Sequence, residues 1–198
     1  MNTKSITRNN AKETVRQLYE VSFPDDEKIP WDDLMRLIDE MHLDFTAYYD
    51  GDDFIGFTIV YPRPTVNQRN SEGRAKQAWA MPSCDGGRLQ VNWYWYFAVL
   101  PELRGKGYGQ QILTQLIKKY EGQTCVLDME SPRQIPCPNA EQRRRRHEFY
   151  LRNGFRDTNI FRKFDDIEMT IMMMGPGSFT LQDWDDIISE LRQHWTWE

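Results

Sequence analysis

A glycine-bearing loop near the middle of the chain carries the residues best suited to chemistry. Residues 104–109 read Arg-Gly-Lys-Gly-Tyr-Gly and stand between an aromatic run, 94–99, and a segment with helical spacing, 110–120. The start of a helix presents unpaired backbone N–H groups and a partial positive charge, and glycine lets the backbone approach a ligand closely. Because Arg104 and Lys106 add positive charge, the loop is predicted to bind a phosphate or pyrophosphate.

The loop differs from two common phosphate-binding motifs. The P-loop requires Ser or Thr directly after its Gly-Lys pair, whereas Gly107 follows Lys106. The dinucleotide fingerprint requires two residues between its second and third glycines, whereas one residue separates Gly107 from Gly109. The loop therefore predicts an anion site of another class, and an ordinary glycine turn between a strand and a helix is the alternative.

The spacing of Arg104, Gly107 and Gly109 resembles the acyl-coenzyme A loop of the GNAT (GCN5-related) N-acetyltransferases, whose pattern is Arg/Gln-x-x-Gly-x-Gly/Ala. Residues 149–155, Phe-Tyr-Leu-Arg-Asn-Gly-Phe, resemble the helix-end signature of the same family, a tyrosine shortly before Gly-Phe. The two motifs come in the family's order, and the resemblance covers roughly residues 43–173. It implies a mixed α/β fold, with a central, mostly antiparallel sheet flanked by helices, and an enzyme that moves an acetyl group from acetyl-coenzyme A to a primary amine.

The resemblance also implies roles for particular residues. The strand backbone would pair with the pantetheine arm of the cosubstrate, and the glycine loop would cradle the pyrophosphate. The cofactor-binding residues implied in this way are Phe97, Ala98, Val99, Arg104, Gly105, Lys106, Gly107, Tyr108, Gly109 and Asn139. Many family members place an asparagine about seven residues before the helix tyrosine, but that position is Arg143 here, and Asn139 lies one turn earlier.

Tyr150 matches the tyrosine that family members often use as general acid toward the leaving thiolate, and a packed core tyrosine is the alternative. No motif fixes the general base that removes a proton from the amine. Asp128 and Glu130 lie two residues apart on a predicted strand and share a side. Either could point into the cleft, directly or through water, or both could be edge or salt-bridge residues. Tyr96 is a further candidate.

The elements that position these residues follow from apolar periodicity. Helices are predicted over 11–22, 31–41, 110–120, 139–152 and 180–195, with Asn139 and Thr180 as N-caps of the last two. Strands are predicted over 4–7, 43–49, 54–61, 94–99, 122–130, 155–160 and 167–174. The strand–helix–strand unit 94–130 predicts a parallel pair, and the resemblance implies that its two strands splay apart to admit the pantetheine arm.

Residues 62–90 form a long, basic segment rich in proline and glycine. The segment is long for a connection inside a compact domain. It is interpreted as an insertion before the coenzyme A-binding strand, within one domain spanning 1–198. A mobile surface loop, a flap over the acceptor pocket and a hairpin extension remain open for it.

Composition limits the possible partners. The chain has 198 residues, a net charge of −5 and a sequence pI of about 5.3, which argues against a general nucleic-acid binder. Residues 143–146 are four consecutive arginines. They cannot share one helical face, so they are predicted to be solvated or paired with Glu141 and Glu148, with one or two reaching coenzyme A phosphates as the alternative. No zinc spacing occurs among Cys and His, so no metal is expected.

The chain shows no apolar run of membrane-spanning length and no apolar centre in residues 1–10. Its three scattered cysteines suggest reduced thiols in a cytoplasm. The predicted function is thus a cytoplasmic N-acetyltransferase, monomeric or homodimeric, with a small-molecule or peptide amine as acceptor. A non-catalytic acyl-coenzyme A sensor and a protein-interaction module on the same fold are the alternatives.

Overall fold

The computed structural model describes residues 1–7, 10, 12–25, 27–63, 90–164 and 166–195. The predicted insertion, 62–90, lies outside the described residues except at its ends. Pro62 and Arg63 belong to a strand that was predicted to stop at Tyr61, and Gln90 directly precedes the next strand.

Seven strands of the described chain form one sheet with the order β1-β2-β3-β4-β5-β7-β6. They are Asn2–Ser5 (β1), Asp44–Asp50 (β2), Asp53–Arg63 (β3), Val91–Val99 (β4), Thr124–Glu130 (β5), Arg156–Phe164 (β6) and Ile167–Met174 (β7). Among the strands of the described residues, β4 and β5 are the only parallel pair, and the remaining neighbours pair antiparallel. The predicted mixed, mostly antiparallel sheet is therefore confirmed, although β1 begins two residues before its predicted start.

Five α-helices accompany the sheet in the described ranges. They are Glu13–Ser22 (α1), Trp31–Glu40 (α2), Tyr108–Lys119 (α3), Ala140–Arg152 (α4) and Leu181–Arg192 (α5). The capping prediction for the last helix is confirmed, because Thr180 and Asp183 form a reciprocal capping box at its start. The helix ends at Arg192, three residues before the predicted end.

The helices cover both faces of the sheet. The side chains of Leu18 in α1, Leu37 in α2 and Ile187 in α5 are buried in one apolar cluster with Val126 of β5. The next residue of β5, Leu127, belongs to a second cluster on the opposite face, as the alternation of a strand requires. In this way α1, α2 and α5 lie on one side of β5.

The second cluster joins α3 and α4 to the sheet. Leu113 and Leu116 of α3 are buried in it, and Phe149 and Tyr150 of α4 pack against it. The described part of the molecule is therefore a three-layer arrangement of helices, sheet and helices. None of its helices has the length and apolar content needed to cross a lipid bilayer.

Candidate active site

A cleft opens in the sheet where β4 and β5 separate. Their ladder runs from the pair of Val91 with Thr124 to the pair of Trp93 with Val126. Beyond these residues, and within the part of the chain that the structure describes, β4 pairs with β3 alone and β5 pairs with β7 alone. The cleft has a volume of about 500 Å³. Both strands, α4 and the connection between α1 and α2 contribute to its lining, so the gap gives access to the interior of the fold.

A β-bulge in β4 accompanies the separation. Ile59 of β3 lies opposite Tyr96 and Val60 lies opposite Tyr94, so Trp95 is an extra residue on β4. A bulge bends a strand and increases its twist, which turns the end of β4 away from β5. The rings of Trp93 and Trp95 stack at 4.7 Å, and those of Trp95 and Tyr96 stack at 5.1 Å.

In the far half of β4, one edge faces the cleft and has no neighbouring strand among the described residues. Phe97, Ala98 and Val99 pair with β3 on one side and line the cleft on the other. A strand edge without a neighbour can pair with an extended ligand through its main chain. The main chain of these three residues is thus open to an extended ligand, and their assignment to the pantetheine arm stays a prediction.

The glycine loop leads from the end of β4 into α3. Gly105 and Gly107 have φ values of 75° and 85°, and Gly107 is the N-cap of α3. Five backbone N–H groups of this loop and the first turn of α3 have no hydrogen-bond acceptor within the described chain. They belong to Gly105, Gly107, Tyr108, Gly109 and Gln110. A Cβ added at Gly105, Gly107 or Gly109 would meet no atom within 4 Å. The loop is thus an open cradle of N–H donors at a positive helix end, which fits a pyrophosphate.

Two basic residues flank this cradle. The guanidinium Nε of Arg104 donates to the carbonyl of Val99 at 3.1 Å, and Arg104 also lines the cleft. Lys106 is exposed beside it. Their charges add to the positive potential of the helix start, so the part of the cleft nearest to α3 favours an anion.

Asp128 lies in the cleft wall on β5. Its Oδ1 accepts a hydrogen bond from the indole Nε1 of Trp93 at 2.8 Å. Burial raises the pKa of Asp128 to about 6, although the bond from Trp93 opposes the shift. A carboxyl group with such a pKa is ionised at neutral pH and can still accept a proton there.

Glu130 also lines the cleft but has a different environment. Its carboxylate accepts hydrogen bonds from Arg143 at 2.7 Å and from the amide of Asn139 at 3.0 Å, and the guanidinium of Arg146 lies 3.6 Å away. Two guanidinium groups and an amide therefore surround this carboxylate and tie it to α4. Of the two predicted bases, Asp128 has fewer hydrogen-bond donors that would compete with a substrate for its carboxylate oxygens.

The structure corrects two predictions for α4. The side chain of Asn139 occupies the N-cap position without making a capping bond and binds Glu130 instead. Its Oδ1 is buried and has no partner in the described chain. Arg143 is 4% exposed and pairs with Glu130 rather than Glu141, because its position on α4 faces β5. Arg144 and Arg145 pair with Glu141 as predicted.

Replacing Arg143 with alanine is expected to destabilise the fold by about 3 kcal/mol, because it removes one partner of a buried ion pair. Arg144→Ala removes an exposed partner of Glu141 and is the matched control, with an expected change within about 0.5 kcal/mol. Urea unfolding followed by circular dichroism measures both free energies. Equal stabilities for the two variants would contradict the view that the Glu130–Arg143 pair fastens α4 to β5.

Tyr150 lies in α4 with its ring 5.3 Å from that of Phe149 and 5.5 Å from that of Phe155. Burial raises the pKa of its phenol to about 12, Arg146 lowers it, and Asp128 raises it. The hydroxyl has no hydrogen-bond partner among the described residues, and Tyr150 lines the cleft. The phenol is therefore a neutral proton donor, as the predicted general acid requires.

Tyr96 has a structural contact that the sequence did not predict. Its hydroxyl donates to the carbonyl of Glu27 at 2.8 Å, and burial raises its pKa well above the ordinary value. Tyr96 thus fastens the α1–α2 connection to β4. This connection and the end of α1 also line the cleft, through Ser22, Phe23, Pro24 and Glu27. Sequence reasoning missed these lining residues, since only Pro24, as a helix end, gave a local signal.

The structure describes no group of three or more His, Cys, Asp or Glu side chains in its residue ranges that could hold a metal ion. The polar groups that line the cleft include Arg104, which precedes the N–H cradle, and Asp128, Glu130 and Tyr150. These groups can bind a diphosphate at one end and move protons at the other.

The sequence and the fold match one group of known proteins. A family model described as "Acetyltransferase (GNAT) domain" matches residues 42–157. A comparison with curated proteins finds no match.

Solved structures match nearly the whole chain. A Bacteroides thetaiotaomicron protein described as a member of the GNAT family is 22% identical, with 98% of this chain and 97% of that chain covered and a TM-score of 0.68. A GNAT family acetyltransferase from Elizabethkingia anophelis with acetyl-CoA bound is 15% identical, with 88% and 97% covered and a TM-score of 0.55. Arabidopsis thaliana Naa50 in complex with the bisubstrate analogue CoA-Ac-MVNAL is 14% identical, with 88% and 98% covered and a TM-score of 0.57.

Proposed function

The chain belongs to the GNAT acetyltransferase family, and from this premise we propose that it transfers an acetyl group from acetyl-coenzyme A to a primary amine. One observation carries the proposal. A single cleft between β4 and β5 contains the arginine beside the N–H cradle, Arg104, together with Asp128 and Tyr150. Binding and proton-transfer groups of this kind are what such a reaction needs.

The part of the cleft nearest to the glycine loop holds the cosubstrate, which is the acetyl donor. Acetyl-coenzyme A supplies an activated acetyl thioester, and its pyrophosphate is the ligand for the cradle at Gly105 to Gly109. The free edge of Phe97, Ala98 and Val99 holds the pantetheine arm by main-chain hydrogen bonds. A backbone N–H of this edge is also suitably placed to polarise a carbonyl oxygen. Solved relatives of the same fold bind acetyl-CoA or a CoA-containing analogue, which supports this assignment.

Asp128 serves as the general base in this proposal. An amine acceptor is mostly an ammonium ion at neutral pH, so it must lose a proton before its nitrogen can attack. The Asp128 carboxylate, with a pKa of about 6, accepts that proton in the cleft. Glu130 acts differently, because its ion pairs with Arg143 and Arg146 hold α4 and β5 together.

Tyr150 serves as the general acid. The sulfur of the leaving group needs a proton as its bond to the acetyl carbon breaks, and a neutral phenol in the cleft can donate it. The nitrogen loses its second proton as the amide forms, and that proton restores the phenol. The acceptor itself is a small-molecule or peptide amine that enters beside the α1–α2 connection. The peptide portion of the bisubstrate analogue bound to Arabidopsis thaliana Naa50 supports the peptide class.

Tyr150→Phe is expected to lower the turnover number about 100-fold, since general acid catalysis typically contributes a factor of this order. Affinity for acetyl-coenzyme A is expected to stay the same, because the phenyl ring of the variant can still pack on Phe155. Tyr48→Phe is the matched control, a buried tyrosine that does not line the cleft and keeps the wild-type rate. Steady-state kinetics and calorimetry measure the two quantities, and an unchanged rate for Tyr150→Phe would remove this tyrosine from the mechanism.

The proposal as a whole is tested in two steps. Isothermal titration with acetyl-coenzyme A is expected to give saturable binding with one site per chain. A panel of aminoglycosides, polyamines, amino acids and peptides is then assayed for release of the free thiol. Binding without turnover of any amine favours an acyl-coenzyme A sensor, and the absence of binding favours a protein-interaction module.

A further inference from the structure

A hydrogen bond joins the two strands of the cleft at the point where they separate. The indole Nε1 of Trp93 donates to Oδ1 of Asp128 at 2.8 Å. Trp93 belongs to the last pair of the parallel ladder, opposite Val126, and Asp128 follows Val126 by two residues on the same side of β5. The bond therefore closes the inner end of the cleft and fixes one oxygen of the proposed base.

Packing holds the indole of Trp93 in one orientation. Its side chain is 3% exposed and stacks on Trp95 with an interplanar angle of 20°. On another side it meets the edge of Trp184 of α5, with ring centroids 5.3 Å apart. A buried indole N–H needs an acceptor, and Asp128 is the acceptor that this orientation provides. The direction of the donor is thus set by the fold rather than by the substrate.

Asp128 receives no bond from another side chain in the described ranges, so its second oxygen remains available. We propose that Trp93 is a positioning residue for Asp128: its packed indole holds Oδ1 so that Oδ2 faces the ammonium group of the acceptor. This inference rests on the proposed role of Asp128 as general base.

The bond also affects the protonation of the carboxyl group. A donor to an ionised carboxylate stabilises the ionised form, so the indole opposes the effect of burial on the pKa of Asp128. Removing the donor raises that pKa. The other titratable or charged side chains that line the same cleft are Glu27, Tyr94, Tyr96, Arg104, Glu130, Arg146 and Tyr150. None of these is changed by a substitution at Trp93.

The test replaces Trp93 with phenylalanine, which keeps an aromatic ring and removes the N–H. NMR titration of carboxyl carbons in aspartate-labelled protein measures the pKa of Asp128, whose signal is identified by its loss in Asp128→Asn. Trp93→Phe is expected to raise this pKa by about one unit, the shift that corresponds to one hydrogen bond to a charged group. An unchanged pKa overturns the inference.

Trp184→Phe is the matched control. It alters the packing next to Trp93 but leaves the bond to Asp128 in place, so the pKa of Asp128 is expected to stay at its wild-type value. A shift of equal size in both variants would mean that loosened packing, rather than the lost N–H, causes the change, and this result also overturns the inference.

A measurement on the unaltered protein covers the case in which Trp93→Phe fails to fold. The indole N–H signal of Trp93 is expected to shift with pH, with the same midpoint as the carboxyl signal of Asp128. An indole signal that does not respond to pH would contradict the proposed contact.

Kinetics separate this inference from the proposed function. With an amine that the enzyme acetylates, kcat/KM falls at low pH. In Trp93→Phe the midpoint of this fall is expected to shift to higher pH by the same amount as the pKa of Asp128. The affinity for coenzyme A is expected to stay unchanged. If the pKa of Asp128 moves and this midpoint does not, the contact stands but Asp128 is not the base, and both the positioning role and that part of the proposed function fail. If no amine is acetylated, the enzyme proposal fails while the NMR result still decides the contact.

Discussion

Gly107→Glu is expected to reduce coenzyme A affinity by at least about 100-fold, because it places a carboxylate in the cradle that would hold the pyrophosphate. The new side chain points into the open space where a Cβ meets no atom within 4 Å. Its negative charge lies at the positive end of α3 and repels a diphosphate. The φ of 85° also makes any side chain at this position unfavourable.

Gly122→Glu is the matched control for that variant. Gly122 follows the other end of α3, has a φ of 76°, and has the same open space around its Cα. Both substitutions therefore introduce similar backbone strain, about 1 kcal/mol, but only one lies in the proposed cradle. Calorimetry with coenzyme A on the two folded variants measures the difference. Wild-type affinity in Gly107→Glu would show that the loop does not bind the cosubstrate.

Asp128→Asn is expected to lower kcat/KM for the acceptor by about 100-fold to 1000-fold, the range expected when a general base is removed. Burial raises the pKa of Asp128 to about 6. The wild-type rate therefore rises with pH through about 6 and levels off above that value. Because asparagine does not titrate, the residual activity of the variant is expected to show no such rise with pH. Initial rates measured between pH 5 and pH 8 check both statements.

Asp44→Asn is the matched control, since Asp44 is a partly buried carboxylate of β2 that bonds Tyr120 and lies outside the cleft. This variant is expected to keep the pH profile of the wild type. If Asp128→Asn also keeps the wild-type rate and profile, the base is another group, and Asp128 has no part in the proton transfer.

The same substitution is expected to stabilise the protein. Burial raises the folded-state pKa of Asp128 from 3.8 to about 6, so the folded protein binds this proton more tightly than the unfolded chain. Ionisation therefore disfavours the folded state. The penalty is absent below the unfolded value of 3.8, grows as the pH rises, and is complete above about 6. Asp128→Asn avoids it and is expected to gain about 1–3 kcal/mol at pH 8 but nothing below pH 4. Urea unfolding at both pH values measures the gain.

Local sequence patterns predicted most of the sheet and helices to within a few residues. Periodicity placed α1, α2 and α5, and the capping box of Thr180 was readable because its partners are three residues apart. The glycine loop was equally readable, since positive φ values and the start of a helix depend on consecutive residues.

The arginine run shows where local reading failed. The sequence predicts that residues 143–146 are solvated or paired with Glu141 and Glu148, yet Arg143 is 4% exposed and pairs with Glu130. Arg143 and Arg146 are three residues apart on α4, so both can reach Glu130, whereas Arg144 and Arg145 turn outward to Glu141. Helical geometry predicts the division into two faces. It does not predict which face meets β5, because that depends on how the helix docks on the sheet.

By itself, the sequence determined the family, the order of the elements and the position of the glycine loop, since each of these depends on neighbouring residues. Only the tertiary structure distinguished the two candidate carboxylates. Asp128 and Glu130 are two residues apart on one strand, but the first receives its bond from Trp93 of β4 and the second from Arg143 of α4. The proton affinity of a carboxyl group is set by its burial and its donors. Those donors lie 35 and 13 positions away in the chain and become neighbours only when the sheet and the helix have packed.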